Sequence, residues 1–299
     1  MNVLLAPSNE QIARWIENYV PEKDLFFVRE EQLPKFNNYL HNTLVILKDE
    51  FFKHATYLQI QLANSYEYWN ISKDIEYVIV AQPDWITSLA ASDKEALLRI
   101  QISVGRGLIF PLDLFSAIDV VPVEYILEEK EKQYVVLQYD MWNKLPFSSK
   151  EETIKAYALL WDNWLCSAVP MNIPAHLKSF ANTFSEKAGA NCLAATLFAV
   201  SSQPEYQEWI IHEWVHQKTF LAGLKNASYK QTEEELHEAD VVAWVNEEGV
   251  IQHAAYHIGN QLFFNKNGQT FFNPWKVIHL NELNEEWKKF SVRIYRKFA

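Results

Sequence analysis

Glycine is scarce in this chain. Of 299 residues only seven are glycine, and five of these (Gly189, Gly223, Gly249, Gly259 and Gly268) lie beyond residue 185. Backbone reversals that need a positive φ are therefore concentrated late in the chain, and the two halves are expected to be built differently. Cysteine is scarcer still: two residues, Cys166 and Cys192, exclude a disulfide framework and predict reduced thiols. Basic charge is in deficit, 27 Lys and Arg against 38 Asp and Glu, and a net charge of -11 has the wrong sign for neutralising phosphates, so no nucleic-acid partner is expected. No apolar run approaches the roughly 20 residues that span a bilayer, so no membrane partner is expected either. The opening MNVLLAPSNEQIARW lacks the basic start and long apolar core of a signal peptide. These absences predict a cytoplasmic protein. What the chain does have is aromatic mass, 14% with 11 Trp, enough for a sizeable core in one large domain or two ordinary ones.

Along the first half, the patterning predicts a helix from Asn9 to Tyr19, strands at 57–63 and 75–81, a helix from Trp85 to about Val104 and a strand at 133–138. This is a mixed α/β N-terminal domain, residues 1–148, of unknown role and without a chemical motif. The segment PFSSKEE (146–152) punctuates the chain, with Ser148 or Ser149 able to cap a helix running to about Ala168. The second domain is accordingly placed at 149–299. In it, helices are expected from Cys192 and from Pro204 to about Leu224. Strands follow at 240–245, 250–258 and 262–266, with turns at 246–249 and 259–261 and a hairpin signal at Asn267-Gly268. Helices first and an antiparallel sheet afterwards make an α+β fold. Lys289, Arg293 and Lys297 would share one face of a terminal helix. Cys166 reads as core, within the first of these helices.

The chemistry is carried by Cys192, His253 and Asn265. A thiol at the start of a helix gains from the partial positive charge there, and an imidazole partner assists its ionisation. The backbone N–H groups at such a turn are also donors for an oxyanion. Asn265, twelve residues after His253 on the neighbouring strand, is placed to orient the ring. The order of these residues, with Asp240-Val-Val-Ala-Trp and Gly249-Val-Ile-Gln-His253-Ala-Ala-Tyr256-His-Ile-Gly259, resembles the NlpC-type branch of papain-like cysteine peptidases over about residues 185–283. The resemblance implies a papain-like domain and a cysteine peptidase or amidase. Its Cys192, His253 and Asn265 would work through a thio-acyl intermediate on a peptide or amide small molecule, with no cofactor or metal. Ala239, Leu193-Ala194 and Ala255 depart from that family's usual residues, which leaves the substrate open. Hydrolase and acyltransferase share the intermediate and stay undivided here.

Strand alternation sets a condition on this triad. A two-residue turn at Gly259-Asn260 would put Asn265 on the face away from His253, so a longer turn or a bulge is required. His257 shares the His253 face two repeats away. Two other readings stand beside the hydrolase. His212-Glu213-Trp214-Val215-His216 is a formal H-E-x-x-H, which on a helix would present two zinc ligands on one face and make a zinc metallopeptidase. Alternatively, the altered flanks of Cys192 suit a non-catalytic binding protein on a papain-like scaffold.

Overall fold

The computed structural model describes residues 2–298 and divides into two compact units. Ile12–Ala158 forms one; the N-terminal residues through Gln11, together with the chain from Leu159 onward, form the other. The division thus falls ten residues beyond the expected 148/149. The helix Phe147–Ala158 stays with the first unit because Thr153, Ile154 and Tyr157 are buried there, with Tyr157 stacked on Phe110 at 3.9 Å between ring centroids. The first residues join the second unit because Asn2–Leu4 pairs antiparallel with Leu165–Ser167.

The first unit holds two three-stranded antiparallel sheets. One has Tyr77–Ala81 between Asp24–Val28 and Leu44–Leu47, the other Lys132–Val136 between Ile109–Pro111 and Ile126–Glu129. Residues 57–63, expected as a strand, instead lead into the helix Ile60–Tyr66. It buries the consecutive residues Asn64, Ser65 and Tyr66, a requirement that a two-residue period cannot express. The expected helix from Trp85 is broken at Leu89-Ala90 and resumes as Ala91–Ser103. At Gly107, φ is +82°, and a Cβ there would lie 2.6 Å from the Ser65 carbonyl oxygen and 2.7 Å from the Tyr66 carbonyl carbon. Both obstacles are backbone, so Gly107→Ala is expected to cost this unit at least about 2 kcal/mol. A urea midpoint equal to that of the parent chain would contradict this.

In the second unit, β1 (Asn2–Leu4) and β2 (Leu165–Ser167) make a two-stranded ribbon. Then follow α1 (Cys192–Ala199), α2 (Gln217–Asn226), β3 (Tyr229–Thr232), β4 (Val241–Val245), β5 (Ile251–Gly259), β6 (Leu262–Lys266), β7 (Trp275–His279), α3 (Leu280–Glu286) and β8 (Ser291–Lys297). Six of these strands form one sheet in the order β7-β6-β5-β4-β8-β3, with every neighbouring pair antiparallel. The architecture of the chain is α+β. Both faces of the central strands are covered. Val241, Ala243, Ala254, Phe264 and Val277 pack against Leu193, Ala194 and Phe198 of α1. On the opposite face Val242, Trp244, Ala255, Phe263 and Ile278 pack against Leu283 of α3, with Trp287 and Phe290 alongside. Each large side chain so enclosed contributes about 1.5–3 kcal/mol.

Four local expectations change. The helix through 168 ends at Ala158, and Cys166 lies in β2, buried, with its thiol donating to the Val3 carbonyl at 3.3 Å. The C-terminal segment is β8 rather than a helix, because Arg296 must reach buried Asp240, its Nη2 lying 2.7 Å from Oδ2. Lys266 and Trp275 pair across β6 and β7, so Asn267-Gly268 opens an eight-residue loop instead of a tight hairpin. That loop wraps the buried Lys266 ammonium, which donates to the carbonyls of Thr270 (3.1 Å) and Asn273 (2.5 Å). The expected helix over 204–224 is interrupted. A short turn Pro204–Gln207 and a 3-10 turn Glu208–His212 are followed by extended backbone at Glu213, before α2 begins at Gln217. The break is pinned where Val215 is buried and its carbonyl accepts from Asn191 Nδ2 at 2.8 Å.

Candidate functional site

Asn191 explains where α1 begins. Its side-chain oxygen accepts the Ala194 amide at 3.0 Å, the usual N-cap bond, worth roughly 1 kcal/mol. Cys192 is thereby fixed as the first helical residue. It is half-buried and packs against the α1 side of the sheet. Burial pushes its thiol up to about 11, against the opposing effect of the Ala254, Leu193 and Cys192 amides and the Lys266 ammonium. Burial also pulls Lys266 down to about 7.

His253 and Asn265 are joined by a bulge. Asn260 (φ 52°) and Gln261 (φ 59°) make a two-residue turn with Gly259 paired to Leu262, and the register then shifts so that His257 faces Phe263 and Tyr256 faces Phe264. Without that shift Asn265 would sit opposite Tyr256, on the wrong face. With it, continuation of the register sets Asn265 opposite Ala255, diagonal to His253. His253 Nε2 lies 2.6 Å from Asn265 Oδ1. With the amide oxygen turned toward the ring, the arrangement calls for a proton on Nε2 and leaves Nδ1 as the basic nitrogen. The imidazole lies flat on Trp287, with centroids 4.4 Å apart and planes within 5°, and Trp244 stands at 5.6 Å. This enclosure pulls the His253 pKa down to about 4, which the bond to Asn265 only partly offsets.

Cys192 and His253 approach from opposite faces of the sheet and border one cleft of about 440 Å³, whose walls include Leu193, Trp214, Ile251 and Gln269. Among the described residues no hydrogen bond joins Cys192 to His253 or Asn265. The resting pair is a neutral thiol and a neutral imidazole. The structure thus brings His253 and Asn265 into contact and sets Cys192 at the same cleft without a hydrogen bond to either.

The remaining candidates lie elsewhere. His257 donates from Nδ1 to the His237 carbonyl (2.6 Å) and stacks on Phe263. His212 and His216 do not share a helical face: His212 ends the 3-10 turn and His216 caps α2. The ring of His212 meets Phe180 and Trp275 edge-on, and that of His216 meets Trp214. The helical arrangement on which a zinc peptidase depended is therefore overturned, and among the described residues no group of three His, Cys, Asp or Glu is arranged to hold a metal.

Trp287 and Glu286 do not stand out in the sequence, and Asn267 stands out there only as a turn signal. Asn267 Oδ1 accepts from Asn265 Nδ2 at 2.9 Å, and Asn267 Nδ2 donates to Glu286 at 3.0 and 3.2 Å. The Glu286-Trp287 dipeptide closes a helix far along the chain from His253, and no spacing rule links the two. Among the described residues no helix is long and apolar enough to cross a membrane. Comparison with protein-family models, with curated proteins and with solved structures gives no match for this chain.

Proposed function

We propose that the second unit is a papain-like cysteine hydrolase of the NlpC type, acting on the amide or acyl bond of an uncharged peptide or small molecule. The observation that carries this reading is the bond from His253 Nε2 to Asn265, made beside a cleft whose other wall starts a helix with Cys192. In the reaction, Nδ1 of His253 takes the Sγ proton as sulfur bonds to the substrate carbonyl carbon. The tetrahedral oxyanion is met by the Cys192 and Leu193 amides at the start of α1, which have no partner within the helix. Collapse of that adduct expels the amine, which leaves with the proton from the imidazolium. Water, deprotonated by the same nitrogen, then releases the acid from the thioester. Cleft walls such as Leu193, Trp214, Ile251 and Gln269 are apolar or neutral, which suits an uncharged group next to the thiol.

A second reading has its own support. The missing hydrogen bond between thiol and imidazole suits a binding protein that keeps the scaffold without turnover. Acylation separates the two. With p-nitrophenyl acetate, the hydrolase should release a burst of nitrophenolate with acetyl located on Cys192 by peptide mass, and Cys192→Ala should lose both. Nitrophenolate release that is unchanged in Cys192→Ala, with acetyl on surface lysines only, would leave the binding reading standing.

A further inference from the structure

An amide can present either its oxygen or its nitrogen, so the His253–Asn265 bond taken alone is compatible with either neutral tautomer of the imidazole. The bonds beyond Asn265 remove that freedom. A carboxylate can only accept. Glu286 must therefore receive Asn267 Nδ2, which turns Asn267 Oδ1 toward Asn265. Asn265 must answer with Nδ2, which turns its Oδ1 toward His253 and calls for a proton on Nε2. Four side chains on β5, β6, the β6–β7 loop and the end of α3 thus form one directional chain ending on a negative charge.

We propose that Glu286 is a positioning residue that, through Asn267 and Asn265, holds His253 in the Nε2–H tautomer and keeps Nδ1 as its lone-pair nitrogen. The catalytic consequence rests on the hydrolase reading; the tautomer itself does not. With a neutral amide at 286 the chain can run either way. A glutamine can donate to Asn267 Oδ1, Asn267 can then donate to Asn265 Oδ1, and Asn265 Nδ2 can donate to Nε2, moving the proton to Nδ1. The carboxylate of Glu286 is otherwise surrounded by Glu282 and Glu285 of α3 and the buried Lys276–Asp162 pair. None of these replaces it as the acceptor for Asn267, whose Nδ2 bonds lead to Glu286.

The test is ¹⁵N-histidine long-range correlation NMR on the full chain near neutral pH, with His253 assigned by its loss in His253→Gln. The parent chain should show an Nε2–H imidazole. Glu286→Gln should raise the Nδ1–H share at least about fivefold, the factor that one charge-assisted hydrogen bond sustains, and Glu286→Asp should keep the parent tautomer. A parent chain already in the Nδ1–H form, or a ratio unmoved by Glu286→Gln, would overturn the proposal. If the tautomer follows Glu286 while Cys192 alkylation ignores His253, the relay stands and the hydrolase reading falls.

Discussion

Alkylation of Cys192 by iodoacetamide should proceed at a nearly constant rate from about pH 5 to about pH 10, and His253→Ala should destroy that plateau. Burial holds the imidazole down to about 4 and pushes the thiol up to about 11. Between those values the pair carries one fixed set of protons, a thiol and a free Nδ1, so the share of the reactive arrangement does not change with pH. Below about 4 the ring is protonated and the rate falls; above 11 the free thiolate takes over. Without His253 only that thiolate reacts, and its share drops tenfold for each pH unit below the thiol pKa, so the logarithm of the rate rises with unit slope throughout. At pH 6 a general base in reach, directly or through one water, is worth about 10²–10⁴-fold, and the variant should be slower by that factor. The same unit slope in both proteins would mean that thiol and imidazole do not communicate across the cleft.

The parts of this site that follow local rules are legible in the sequence. An Asn before an apolar run marks the start of α1, because its side chain can take an amide that the helix leaves free. The strands β4, β5 and β6 stand out because each is apolar on both faces and separated from the next by Gly or Asn. That a triad with Asn265 needs a longer turn or a bulge between β5 and β6 also follows from alternation, and the structure has a two-residue turn with a register shift before Gly259. What a single sequence hides is anything set by packing between distant segments. His212 and His216 have helical spacing, yet the chain between them is drawn out because Val215 is buried beside Asn191. Arg293 and Lys297 have helical spacing too, yet β8 is held as a strand by pairing with β3 and β4 and by the reach of Arg296 to Asp240. Trp287 and, through Asn267, Glu286 complete the surroundings of His253 on the α3 side of the sheet, where no periodicity connects them to it. The first unit is hardest to read, because short strands and 3-10 turns there carry side chains buried at adjacent positions.

Lys276→Met should be the most destabilising single change near the site, at about 3–5 kcal/mol. Lys276 Nζ lies 2.6 Å from Asp162 Oδ1, and both side chains are 2% exposed. Asp162 Oδ2 is buried without a partner, so the ammonium is what compensates this carboxylate. Methionine fills nearly the same volume and removes only the charge and its donors, leaving an uncompensated carboxylate that the unfolded chain would hydrate freely. The cost is therefore electrostatic, and the double variant Lys276→Met with Asp162→Leu should recover most of it, since burying an intact ion pair brings little net stability. Urea unfolding of the full chain checks both statements: a low midpoint for the single variant, and a midpoint near the parent for the double. Equal losses in single and double variants would show that packing rather than charge is at stake. Lys276 is also the β7 partner of Asn265 across the β6–β7 ladder. Loss of the ion pair should therefore loosen the strand that aims Asn265 at His253, and the plateau in Cys192 alkylation should drop in Lys276→Met and return in the double variant.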